Sequence, residues 1–349
     1  MSRNKVVDTK ATKLLPYYDY GPVLSRNALF SFVVGGRGLG KTYGFKHWAI
    51  RDWIRSGAEF VYLRRYKTEL TAKQTFFADI GHEFPDYEFR VEGNTAQARP
   101  AVPDGEKNEL PWQTMGYFVS LSTALTKKSV AYPKVTKICF DEFIIERGHI
   151  RYLPDEVKAF LEFYSTVDRW KDKTRAIFLA NSVSIYNPYF IEWGIEPKGG
   201  KWYRRKQGDI VVHLPDGDSF ANAVYNTRFG KFIKDTEYAQ YAVESEFKDA
   251  NSLLIKAKPP SAEYYCRFET SMIFSVWIDY DNKNTIFYIS EKQPTTKDSL
   301  FTIHSNRLRP GDLIVDKQHN VVKIITLAYK RAQVYFSTAR VRSAFEELL

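Results

Sequence analysis

Eight consecutive residues, Gly35, Gly36, Arg37, Gly38, Leu39, Gly40, Lys41 and Thr42, fit the pattern GxxxxGK[ST]. Glycines at these spacings let backbone N–H groups turn inward around phosphate oxygens. The lysine then bridges the β- and γ-phosphates and the hydroxyl ligates magnesium. Tyr43 adjoins this run and completes the candidate nucleotide-binding set. Arg37 places a guanidinium inside the loop, within reach of phosphate or of a neighbouring carboxylate.

A second group lies about 100 residues on. The apolar run VTKICFDEF ends in Asp141 and Glu142, and adjacent residues of a strand point to opposite sides, so their tasks can differ. Asp141 suits a magnesium-holding acid; Glu142 suits a base that orients and deprotonates the water attacking the γ-phosphate. The run TRAIFLAN ends in Asn181, whose amide would lie by the same phosphate if the two strands are neighbours. The cofactors implied are ATP and Mg2+.

These groups need elements to hold them. ALFSFVV before the loop reads as a buried strand, and Phe45, Trp48, Ala49 and Trp53 after it fall at helical spacing. EFVYLRR (59–65), VTKICFDEF (135–143), TRAIFLAN (174–181) and DIVVHL (209–214) are further strands, apolar enough to predict a parallel sheet covered on both faces. Residues 82–112 read as a peripheral hairpin excursion with turns at EGN and PDG, and 152–169 as a helix with Val157, Phe160, Leu161 and Tyr164 on one face. A helical connector follows, and the proline pair in KAKPPSAE (256–263) marks a linker. Beyond it YYCRFE, MIFSVWIDY and TIFYIS form an antiparallel meander before a helix, a strand and a terminal helix. The fold class expected is α/β: an ASCE-type P-loop domain over 1–214, a helical lid over 215–257, and an α+β domain over 258–349.

Composition sets the remaining bounds. With 349 residues, 44% apolar, the chain has material for more than one core and no case for disorder. No stretch nears the 18 or so apolar residues that cross a bilayer, so a soluble, unexported protein with no membrane partner is expected. Cys139 and Cys266 form no CxxC pair, which argues against a disulfide framework or a zinc site. A net charge of +10 suits a polyanionic partner.

Taken jointly, VVGGRGLGKTYG, EFVYLRRYKTEL, AYPKVTKICFDEF and AIFLANSVSIYNPYF resemble the DNA-packaging ATPases of small tailed phages of the phi29 kind, distant relatives of large terminases. The likeness spans most of the chain. It implies a homo-oligomeric ring, a pentamer in this family, at the portal vertex of a procapsid in the host cytoplasm. Its partners would be double-stranded DNA, the portal (connector) protein and, in some relatives, a packaging RNA. It singles out Arg169 as an arginine finger acting in trans, where spacing alone leaves Arg147, Arg151 and Arg175 equally placed. It also puts Lys127 and Lys128 on a channel-facing loop as DNA-binding residues and lets Lys67 face the interface, although a solvated charge explains these lysines as simply.

The C-terminal domain of the family is RNase H-like and has lost its nuclease. Asp279 sits on a first central strand, but QVYFSTAR ends in no acid, and Glu346 and Glu347 fall on a terminal helix. Two-metal cleavage needs converging carboxylates, so docking rather than cutting is expected. The alternatives are a helicase or nuclease-bearing terminase of the same superfamily, or a nucleotide-switched docking protein, for which Glu142 would be superfluous. Tyr17, Tyr18 and Tyr20 are candidates to stack on the adenine, although aromatics at that density also build cores.

Overall fold

A strand that is apolar at every position has to be covered on both faces, and this requirement organises the first sheet. The computed structural model describes residues 18–103, 105–124, 130–145, 151–153, 155–182, 187–197, 201–215, 217–236, 239, 243, 254–281, 284–295 and 299–349. Among them, β1 (Phe30–Gly35), β2 (Glu59–Arg64), β3 (Tyr87–Glu92), β4 (Thr95–Pro100), β5 (Gln113–Ser120), β6 (Val135–Asp141), β7 (Arg175–Asn181), β8 (Trp202–Arg205) and β9 (Ile210–His213) form one sheet. Its order is β3-β4-β5-β2-β6-β7-β1-β9-β8. The central strands β5, β2, β6, β7, β1 and β9 are all parallel, as expected for the five of them read from the sequence, with β5 an addition.

Helices α1 (Gly21–Leu24), α2 (Lys41–Ser56), α3 (Leu121–Ala124), α4 (Glu156–Asp168), α5 (Pro188–Trp193), α6 (Asp218–Tyr225) and α7 (Arg228–Ile233) accompany this sheet. Alternate strand residues feed two cores. Val33, Phe60, Cys139, Ile177 and Leu179 meet Phe45, Ala49, Ile50 and Trp53 of α2. Phe32, Val34, Leu63, Phe140 and Phe178 meet Phe160 and Phe163 of α4 and Phe190 of α5. The second core is largely aromatic, with the Phe32 and Phe178 rings stacked 4.3 Å apart.

Several expectations need correcting. In α4, Leu161 is exposed, and Phe163 and Val167 take the inward positions with Phe160. The hairpin β3–β4 forms the outer edge of the sheet, and β5, which the sequence analysis did not mark as a strand, joins it alongside β2. The basic cluster at 201–206 supplies the edge strand β8, antiparallel to β9.

The second sheet holds β10 (Glu263–Glu269), β11 (Ile273–Asp281), β12 (Asn284–Ser290), β13 (Leu300–Thr302), β14 (Leu313–Ile314) and β15 (Val334–Phe336), ordered β14-β13-β10-β11-β12-β15. The expected meander is β10-β11-β12; β13 adds parallel to β10 and β15 parallel to β12. Helices Asn320–Lys330 and Ala339–Glu346 close its core through Val322, Ile325, Val341 and Phe345. The presumed linker is partly tied down, since Lys256 N–H donates to the Phe336 carbonyl at 2.9 Å beside the Ile255–Phe336 bridge. Among the described residues no helix is long and apolar enough to cross a membrane.

The C-terminal helix ends against the segment that precedes α4. Glu347 Oε2 accepts from Ser271 N–H at 3.0 Å, while Oε1 is enclosed without a partner. Burial, reinforced by the charges of Asp155 and Glu156, pushes the Glu347 carboxyl up to about 7 against the contacts from Ser271. A carboxyl raised in the folded state stabilises that state below its unfolded value and loses the contribution as pH rises toward 7. Glu347→Gln should therefore raise the thermal midpoint relative to wild type at pH 8 and leave it unchanged at pH 4; an equal shift at both would refute the assignment.

Candidate functional site

Parallel strands bring their carboxyl ends to one edge, where ligands of open α/β sheets bind. Here β6, β7 and β1 are neighbours and deliver Asp141, Asn181 and Gly35 to that edge, with Asn181 directly opposite Gly35 in register. The loop from Gly36 to Gly40 then turns into α2. Gly38 and Gly40 take φ of 83° and 79°, conformations that side chains resist. A Cβ on Gly38 would also lie 3.3 Å from the ring of Phe220, so α6 packs directly on the loop.

Lys41 is buried, and Nζ donates to the carbonyls of Gly35 at 2.9 Å and Gly36 at 2.8 Å and to Asn181 Oδ1 at 3.1 Å. Thr42 Oγ1 lies 3.2 Å from Asp141 Oδ2 and 3.3 Å from Oδ1. A hydroxyl and a carboxylate meeting at the start of a helix beside a phosphate loop form an all-oxygen donor set that fits Mg2+. Lys41, Thr42, Asp141 and the strand-end Asn181 therefore converge, as their spacing suggested.

Glu142 differs from its expectation. It does not continue the strand: its φ of 58° places it in a left-handed turn, so a kink rather than strand alternation separates it from Asp141. The side chain is 53% exposed and pairs with Arg64 at the end of β2. Arg64 also approaches Asp141 at 3.8 Å and Glu69 at 3.2 Å, and Tyr62 hydroxyl donates to Asp141. The site residues Tyr62 and Arg64 were missed, because only the adjacency of β2 and β6 makes them visible.

Arg65, the next residue, points to the opposite face and is 1% exposed. It donates to Glu156 at 2.7 and 2.9 Å and to the carbonyls of Glu142 at 3.2 Å and Phe143 at 2.6 Å. Adjacent arginines thus hold the side chain and the backbone of the same glutamate.

The other candidates disperse. Arg37 is exposed on the loop and Leu39 is buried beneath it. Tyr43 hydroxyl donates to Glu83, so its side chain turns along α2 and away from the loop. Tyr18 and Tyr20 are buried props: Tyr18 N–H donates to the Leu39 carbonyl at 2.9 Å and Tyr20 hydroxyl to the Lys41 carbonyl at 2.8 Å. Neither presents a face for adenine, and Tyr17 lies outside the described residues, as do Lys127, Lys128 and Arg147. A cavity of about 880 Å³ runs along α2 past Tyr20, Trp48 and Arg51, but stops short of the phosphate loop.

Arg169 sits at the opposite edge of the sheet. It follows α4 and precedes β7, whose seven residues separate it from Asn181 by about 20 Å. Its loop is fixed by Asp168, whose carboxylate accepts from the N–H groups of Lys171, Asp172 and Lys173 at 3.0 Å and of Thr174 at 2.9 Å. Burial works to raise the Asp168 carboxyl, and these amides outweigh it and hold it below its ordinary value. Arg169 is exposed and Trp170 beside it is 93% exposed. Lys67 and Arg151 are also exposed, while Arg175 is engaged by Asp172 at 3.0 Å and Asn27 at 3.1 Å.

Residues 12–349 match the family model of the podovirus DNA encapsidation protein (Gp16). The chain is 32% identical over 329 residues to a DNA packaging protein of Bacillus phage B103, covering 93% of this chain and 98% of that one. It is 30% identical over 335 residues to the DNA packaging protein of Bacillus phage phi29, covering 95% and 96%. A chain in the solved bacteriophage phi29 viral genome packaging motor assembly aligns with TM-score 0.65 and 29% identity, over 95% of this chain and 98% of that one. The N-terminal domain of the phi29 DNA packaging ATPase aligns with TM-score 0.51 and 36% identity, over 57% and 96%.

Gly44, in the first turn of α2, sets how closely the tyrosine props approach. A Cβ there would lie 2.9 Å from the Tyr18 carbonyl oxygen and 2.9 Å from the Tyr20 ring. Glycine to alanine inside a helix ordinarily gains about 1 kcal/mol, whereas overpacking costs about 1–3 kcal/mol. Gly44→Ala should accordingly lower the thermal midpoint and weaken nucleotide binding. A raised midpoint would show that the props move aside freely.

Proposed function

The chain belongs to the podovirus DNA encapsidation protein (Gp16) family, and from that premise we propose an ATP-hydrolysing motor that drives double-stranded DNA into a procapsid. It is an ATPase by its kinship to the phi29 packaging ATPase. The observation that carries the reading is the meeting of Lys41 with Asn181 and of Thr42 with Asp141 at the carboxyl edge of a parallel sheet.

In this reading Lys41 would exchange its carbonyl partners for phosphate oxygens, and Thr42 and Asp141 would hold Mg2+, which would supply charge neutralisation on the phosphates. Glu142 orients and deprotonates the attacking water. To do so it has to leave Arg64, whose guanidinium otherwise occupies the carboxylate. Asn181, bonded to Lys41, is the group placed to sense loss of the γ-phosphate.

Arg169 cannot serve the site of its own chain, because the full length of β7 lies between them. We assign it to the site of a neighbouring subunit in a ring, taken as five-membered by family likeness. The rigid loop and the exposed Trp170 support an interface there. The portal protein, and a packaging RNA where the relative has one, belong to the same reading, with the work done in the host cytoplasm at the portal vertex. We keep the division into an ATPase domain (1–214), a lid (215–257) and an RNase H-like docking domain (258–349). In the last, Asp279 bonds Ser261, Glu346 bonds Tyr329 and Glu347 bonds Ser271, so these acids are engaged separately.

Steady-state ATP hydrolysis at low salt, measured without DNA, with linear duplex and with single strands, tests the proposal. Duplex should stimulate most; preference for single strands would favour the helicase alternative, and indifference to both a nucleotide-switched docking protein. Doping wild-type rings with Arg169→Ala subunits should depress hydrolysis more steeply than the fraction added, since a finger is worth about 10³–10⁵ in rate. A linear decline would remove Arg169 from the role.

A further inference from the structure

Asp155 stands at the N-cap of α4, where its carbonyl accepts from Ala159 N–H at 2.9 Å, yet its side chain makes no capping hydrogen bond to that helix. An aspartate in this position ordinarily caps its own helix. Here the carboxylate faces the second sheet instead, with Oδ2 3.3 Å from Nδ1 of His304. His304 is buried, its Nε2 sits 2.9 Å from the Thr270 carbonyl, and its N–H donates to Thr302 Oγ1 at 3.0 Å. Thr270 hydroxyl in turn donates to the Ala344 carbonyl at 2.9 Å. The ring is therefore locked into the C-terminal sheet and its last helix, and both ring nitrogens face acceptors.

The neighbouring residue turns the other way. Glu156 receives Arg65, the Leu153 N–H at 2.9 Å and the Tyr189 hydroxyl at 3.2 Å. Arg65 holds the carbonyls of Glu142 and Phe143. A chain of contacts thus runs from the Glu142 carbonyl through Arg65 and Glu156 to the first turn of α4, and the residue before that turn, Asp155, meets His304 just beyond β13. Glu142 and Asp155 both hold left-handed conformations, at φ 58° and 51°. For residues other than glycine such conformations are costly and persist where surrounding contacts enforce them. Of the other charged groups, Glu347, at the end of the C-terminal helix, carries its charge beside Asp155 and Glu156, and Glu346 lies near Tyr152.

We propose that Asp155 and His304 are positioning residues that transmit the state of the catalytic loop to the C-terminal domain. The inference rests on reading the chain as an ATP-driven motor. When Glu142 leaves Arg64 to meet water, its carbonyl, and hence Arg65 and Glu156, must shift with it. The first turn of α4 moves, and the Asp155–His304 pair carries that movement into β13. A merely structural pair would hold the two parts together equally in every nucleotide state.

The test is amide hydrogen exchange on the full chain with and without Mg2+ and a slowly hydrolysed ATP analogue. Wild type should change exchange over residues 300–304 by at least about fivefold, the lower end of ordinary coupling between sites. Asp155→Asn keeps a side chain that tolerates the left-handed turn, and His304→Gln keeps a donor for the Thr270 carbonyl. Each should abolish the response while analogue affinity stays at the wild-type value, and the double variant should do no more than either alone. A response that survives in the variants, or a wild type that binds the analogue without any change at 300–304, would overturn the proposal. Loss of analogue affinity in the variants would overturn it too, by showing that the pair supports the ATP site itself. Wild type that shows the exchange response but no stimulation by duplex would sink the motor reading and leave the coupling standing.

Discussion

An ammonium group is tolerated inside a protein only where oxygens surround it, and the cradle around Lys41 fixes much of the architecture. Its acceptors come from the end of β1, the loop after it and the end of β7. These meet only if the strands are parallel and adjacent. Parallel strands need crossovers, crossovers cover both faces, and covered faces demand the unbroken apolar runs of Phe32 to Val34 and Phe178 to Ala180. The same logic returns each crossover helix to the far edge. Arg169 lies there because α4 must end where β7 begins.

What local pattern can encode was legible. The phosphate loop, the acidic strand end, the terminal asparagine and the meander of the second sheet are contiguous in sequence, and each was found where its residues suggested. What depends on strand order was not. Arg64 faces Glu142 because β2 lies beside β6, a fact no window of sequence contains. The strand β5 escaped notice because it starts with Gln113 and Thr114 and carries Gly116 at its middle. That glycine is required by the Phe60 ring, since a Cβ would fall 2.7 Å from it. The left-handed turn at Glu142 was equally hidden, for its cause is Arg65 reaching across to the Glu142 and Phe143 carbonyls.

Arg64 and Arg65 show how one strand end serves two faces. Alternation sends the first over the carboxylates at the open edge and the second into the core beneath them. A charge in the core is costly unless bonded on every side, and Arg65 meets that demand with Glu156, two carbonyls and the Tyr152 ring 4.8 Å away. The turn at Glu142 is therefore held by its side chain on one face and by its carbonyl on the other, so the two arginines read the same residue from both sides of the sheet.

The loop after α4 has a thermodynamic consequence of its own. Arg169, Trp170 and Asp172 all hold positive φ, at 52°, 58° and 51°, and the four amides bound by Asp168 leave little room to rearrange. Association usually loses affinity to the freezing of mobile loops and side chains. Here the backbone around an aromatic surface and a guanidinium is frozen in the isolated chain. A partner that covers Trp170 removes a large apolar face from water and takes almost no backbone freedom away.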